Sequence, residues 1–201
     1  MNTNEFEYYL LFPEAVQNSP AIILTGDTFG RDEAMVEESI NNVDLVEFSY
    51  WESYPKKPVM VDFHDNGILG AVSKKVYDVL EQMNISKLQL IPAEIKDPKN
   101  KTVYKDYHFL HIYNRVECMD KDESIFEFDD FANQVEEIEK LVLDKNKLSE
   151  IPLNERLVFR LKEEYTFQLF HKSVADAIMA INPEGIRFIK VEDYNVGSAF
   201  D

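Results

Sequence analysis

The chain has 201 residues, 45% of them apolar and 29% charged, which excludes disorder as a default and suffices for one large domain or two small, packed ones. Its 38 acidic side chains against 21 basic ones give a net charge of −17. That balance disfavours free nucleic acid and anionic membranes, which need Lys and Arg to displace counterions, and favours a basic protein partner.

The N-terminus, Met1 to Glu7, lacks the positive and apolar regions of a signal peptide. No window approaches the roughly 20 apolar residues of a membrane span, so a cytoplasmic location is expected. A single cysteine, Cys118, excludes an intrachain disulfide, and its acidic neighbours argue against a reactive thiol. The first predicted strand is Phe6 to Leu11, and a second short apolar run covers Pro20 to Thr25. Gly26 to Gly30 is turn-rich, Asp32 to Asn41 reads as a short helix, and Phe48 to Tyr54 sets Trp51 among aromatics. Val59 to Phe63 reads as a strand entered through Pro58.

Ser73 is placed to cap a helix with Val76, Val79, Leu80 and Met83 on one face, the i, i+3, i+4, i+7 stripe of a packed amphipathic helix. A turn over Asn84 to Lys87 leads into the strand Leu88 to Pro92. The same pattern returns 98 residues later: the stripe Val174, Ala177, Ile178 and Ile181, the turn Asn182 to Gly185, and the strand Ile186 to Val191. Identities at this offset include Val76/Val174, Asp78/Asp176, Asn84/Asn182 and Ile91/Ile189. A strand-like stretch precedes each helix, Gly67 to Val72 in one and Phe167 to Phe170 in the other. The chain therefore reads as an α+β protein with two related strand–helix–strand modules on mainly antiparallel sheet.

Lys96 to Thr102 is polar and rich in breakers, and it divides the chain into an N-terminal half, 1–98, and a C-terminal half, 99–201, expected to pack as one compact unit. Tyr104 to Val116 reads as a long strand, with further strands at Ile138 to Leu143 and Leu157 to Lys162. On that long strand His108 and His111 diverge to opposite faces, which argues against a shared metal. His64 is expected in a loop, and His171 stands at a helix start equivalent to Ser73. There is no phosphate-binding loop, nucleophile elbow or His-Glu-x-x-His signature. Asp120, Asp122 and Glu123 lack the central glycine and terminal glutamate of a calcium loop. No catalytic residue, metal or cofactor is expected.

Residues 118–139 hold nine acidic side chains against one lysine, Lys121, with Ile125, Phe126, Phe128 and Phe131 interleaved. Aromatic anchors within a charged rim suit an interface, while Phe126 and Phe128 equally suit a core beneath solvated carboxylates.

Leu157 to Arg160, the helix Ser173 to Ile181 and Gly185 to Ile189 resemble a bacterial family first catalogued as a domain of unknown function. That family was later assigned to the immunity proteins of polymorphic toxin systems as a myxobacterial-type immunity domain. Tyr107 to Asp120 and Ile138 to Asp144 are similar to it as well, and the likeness spans about residues 60–192. His171 departs from it, standing where a small hydroxyl residue is expected. The resemblance implies an inhibitor that neutralises a cognate toxin and carries no catalytic residues. The contact band expected for a basic toxin is Asp120, Asp122, Glu123, Asp129, Asp130, Glu136 and Glu137. Two other readings stay open: a carboxylate-dependent hydrolase built around His64 or His108, and a homodimeric adaptor using aromatics near Trp51.

Overall fold

The computed structural model describes every residue except 1, 2, 27, 28, 52–54, 67, 68, 132, 200 and 201. In chain order the strands and helices are β1 (Tyr8–Pro13), β2 (Ile22–Thr25), α1 (Arg31–Ala34), β3 (Val46–Tyr50), β4 (Phe63–Asp65), β5 (Gly70–Ser73), α2 (Lys74–Gln82), β6 (Leu88–Asp97) and β7 (Thr102–Ile112). There follow β8 (Arg115–Val116), β9 (Ile125–Asp129), β10 (Gln134–Lys140), α3 (Lys145–Ser149), β11 (Val158–Leu161), β12 (Gln168–His171), α4 (Lys172–Met179) and β13 (Ile186–Lys190). They form a six-stranded sheet ordered β2-β3-β6-β7-β5-β4, a five-stranded sheet ordered β13-β1-β12-β11-β8, and a separate β9–β10 hairpin. The fold is α+β.

The two modules are β5-α2-β6 and β12-α4-β13. In each, the flanking strands are parallel but not adjacent, because an antiparallel strand lies between them: β7 in the first sheet and β1 in the second. The registers coincide. Phe109 faces Ala71 and Ile91, while Leu10 faces Leu169 and Ile189, and both sets match at the 98-residue offset. Alternation along the central strands then assigns faces identically: Leu110 and Leu11 point into a shared core, whereas Phe109 and Leu10 point into separate outer ones.

The shared core joins the modules through matched residues, Val76 with Val174, Leu80 with Ile178, Val72 with Phe170 and Phe63 with Val158. The outer face of the first sheet is covered by segments around Phe29 and Ala34, and that of the second by residues 116–148 and the hairpin. Both repeat turns use left-handed backbone at the same two places: Asn84 (φ 49°) and Asn182 (φ 47°), then Lys87 (φ 54°) and Gly185 (φ 77°). Asparagine and glycine tolerate that conformation best, which explains why the Asn recurs.

Several details differ from the sequence reading. The polar stretch expected to part the halves forms the turn of the β6–β7 hairpin, and because β1 joins the second sheet and β7 the first, each sheet draws strands from both sides of residue 98. Helix α1 is a single turn, because the backbone after it is held by side chains instead. Arg115 donates to Met35 O (2.9 Å), His111 Nε2 meets Glu38 O (2.9 Å), and the Gln89 amide clamps both the N–H and the carbonyl of Ile40. Strand β4 starts at Phe63, so most of the predicted Val59–Phe63 strand is irregular. Ser73 does not cap α2 through its side chain. Its hydroxyl donates instead to Asp62 Oδ1 at 2.6 Å. His171 does cap α4, its Nδ1 accepting from the Ser173 N–H at 3.2 Å.

Candidate functional site

The β9–β10 hairpin begins after a compact turn. Asp120 Oδ1 accepts the N–H groups of Asp122 (3.0 Å) and Glu123 (3.1 Å), and the Asp120 N–H donates to Val142 O (2.9 Å). Asp120 therefore shapes the base of the hairpin, leaving Asp122 and Glu123 exposed. Strand alternation then divides the hairpin into two faces. Ile138, opposite Phe126, and Val135, opposite Phe128, turn toward the outer core of the second sheet. Ile125, Glu127 and Asp129 line the other face, with Glu127 paired directly against Glu137. Two register shifts on β10 set Glu136 and Glu139 in bulges, so these carboxylates also reach solvent.

At the tip, Asp129 Oδ1 accepts the Phe131 N–H (2.8 Å), Asp130 is exposed, and the Phe131 side chain is fully exposed at 103%. Phe128, on the opposite face near the tip, is 46% exposed, and Ile125, at the base of the hairpin on the face of Glu127, is 53% exposed. The seven expected residues thus fall into a basal group (Asp120, Asp122, Glu123) and a group on the hairpin itself (Asp129, Asp130, Glu136, Glu137). Glu127 escaped the sequence reading, although simple alternation from Asp129 places it on that face. The bulges had no sequence signal. Among the described residues, Glu123, Glu127, Glu136, Glu137 and Glu139 take part in no ion pair.

The histidines serve structure. His64 is buried against the edge of Tyr107, and its Nε2 accepts from Val61 N at 3.4 Å. Burial lowers its pKa to about 4, partly offset by a hydrogen bond to the Pro20 backbone. His108 stacks on Tyr77 with ring centroids 3.9 Å apart, and burial lowers its pKa. His111, on the opposite face of β7, is likewise held neutral by burial. No group of three or more His, Cys, Asp or Glu among the described residues could hold a metal ion. Cys118 is fully buried, and burial, with Glu163 nearby, raises its thiol pKa far above the usual range. Trp51 is 56% exposed, while the neighbouring Tyr54 lies outside the described residues. No helix among the described residues is long and apolar enough to cross a membrane.

Two related α+β modules carry a charged hairpin, and the four histidines serve packing or capping. A family model described as Immunity protein family (Imm11) matches residues 16–193, and the chain belongs to that family. No curated protein matches the chain. Membership implies a toxin as the partner.

Proposed function

We propose that this protein binds and neutralises a basic bacterial toxin domain in the cytoplasm, without catalysis, and that the β9–β10 hairpin and its base form the contact. Asp120 acts by shaping the base; Asp122, Glu123, Asp129, Asp130, Glu136 and Glu137 meet the partner directly, joined by Glu127. The observation that carries this reading is the pairing of Glu127 against Glu137 on a solvent-facing strand pair. Like charges directly opposite each other destabilise a hairpin. A cationic partner surface would relieve that repulsion on binding, and the exposed Ile125 on the same face and Phe131 at the tip supply apolar anchors.

The test is association with a purified basic toxin domain neutralised by this protein in a co-expression assay, measured from low to high ionic strength. Association slowing steeply with salt is expected for the wild type, with a shallower slope for the triple variant Glu127→Gln, Glu136→Gln and Glu137→Gln. Equal slopes for the two proteins would refute the hairpin as the electrostatic contact.

A further inference from the structure

An apolar cavity of about 160 Å³ opens beside the base of the hairpin. Its walls include Phe6 and Tyr8 at the start of β1, Leu141 and Leu143 just after β10, and Val191 just after β13. Ligand pockets for substrates or cofactors run to about 300–1,000 Å³, whereas about 150 Å³ accommodates a single benzene-sized group. The cavity is thus the size of one side chain, too small for a substrate-sized molecule.

The lining carries more lysines than carboxylates, against the sign of the whole chain. Lys140, Lys145 and Lys190 surround the opening with Glu7 and Glu192, a net positive ring on a chain of net charge −17. Glu7 is engaged with Lys172 and with the Tyr9 hydroxyl, and Glu192 pairs with Lys190 at 2.9 Å. Lys145 is exposed and, among the described residues, makes no ion pair at close range, feeling Glu192 only at longer distance while Lys190 pairs with it directly. Lys140 is the last residue of β10, so the cavity continues the hairpin surface.

We propose that this cavity receives one aromatic or branched aliphatic side chain of the toxin, and that Lys145 pairs with a carboxylate flanking it. The inference rests on the toxin-binding reading and adds to it a second contact of opposite polarity. The hairpin steers a basic surface inward; the cavity and its lysine fix the register, as buried anchors do at the centre of stable interfaces.

Two variants are compared with wild type against the same toxin domain by calorimetry, with thermal midpoints measured in parallel. Val142→Phe enlarges a residue of the cavity lining, and the added bulk is expected to weaken affinity by about tenfold or more. Lys145→Glu is expected to weaken affinity several-fold, although general attraction between an acidic protein and a basic partner predicts tighter binding from the added negative charge. Lys145→Glu binding as tightly as wild type, or tighter, overturns the inference. So does a folded Val142→Phe that binds like wild type. Should Val142→Phe fail to fold, Lys145→Glu alone decides. In either overturning case the salt dependence of the hairpin variant still judges the wider reading separately; wild type failing to bind the toxin domain would remove both.

Discussion

The two modules share one register and differ in what surrounds their turns. Glu14 N–H donates to Gly185 O (3.1 Å) just as Tyr113 N–H donates to Lys87 O (3.2 Å), so the turns are anchored alike. The second turn is also gripped from the other half of the fold. Asp62 exchanges backbone and side-chain hydrogen bonds with Glu184, and Lys75 Nζ donates to Asn182 O at 2.8 Å. Gly185 packs so closely that a Cβ there would lie 2.8 Å from Val61 Cβ. A duplicated motif thus keeps its hydrogen-bond scheme while its side chains diverge according to which copy lies at the junction. The same division appears at the helix starts, where Ser73 serves Asp62 and leaves α2 without a side-chain cap, while His171 caps α4.

Exchanging residues between the copies should expose that asymmetry. Gly185→Lys imports the residue of the first turn into the crowded second one. It combines left-handed backbone strain with overpacking against Val61 and should cost about 4 kcal/mol in chemical denaturation. A cost below about 1 kcal/mol would mean the junction yields more easily than its contacts imply.

Acidification should separate the sheets. His64, His108 and His111 all lie in the six-stranded sheet, and each has a pKa lowered by burial. For a histidine whose folded pKa is below its unfolded value, the unfolded chain binds more protons, so stability is full above about pH 6.5 and falls as pH drops toward the folded pKa. For His64, moving from 6.5 to about 4, the loss by pH 4 is on the order of 3 kcal/mol. Amide exchange at pH 5 should loosen β4 and β7 before β1 and β12, and His64→Phe should flatten the decline of the thermal midpoint between pH 6.5 and 4. Simultaneous loosening of both sheets would contradict this.

The smallest effect is the reverse exchange. Lys87→Gly relieves left-handed strain in an open turn, and after glycine's added chain entropy it should stabilise by about 0.5 kcal/mol, visible as a slightly higher thermal midpoint.

Much of this was readable in the chain because helical periodicity and left-handed asparagines are local signals. Val76, Leu80, Val174 and Ile178 declared their buried faces, and Asn84 and Asn182 declared the turns. The partner strands were not readable, because the pairing of Tyr8 with His171 depends on residues far apart in sequence. Nor was the short α1, whose continuation is replaced by side-chain hydrogen bonds from Gln89, His111 and Arg115. At the hairpin, the charge and aromatics were plain from composition, but the bulges that present Glu136 and Glu139 depend on packing of Val135 and Ile138 against the core. Phe128, equally suited to core or surface by sequence, ends up nearly half exposed because it lies toward the tip.

The interior position of β1 carries a consequence for how the polypeptide is made. In the first module the central strand β7 follows its neighbour β6 through a tight hairpin, so all six strands of that sheet can assemble once residue 112 is synthesised. In the second, the central strand β1 is made well before its neighbours β12 and β13, which lie more than 150 residues later in the chain. At about 5–20 residues per second the nascent chain carries Tyr8, Leu10 and Leu11 unpaired for on the order of ten seconds or more. Strand β1 therefore depends on a late pairing, with its apolar residues open to chaperones until β12 and β13 arrive.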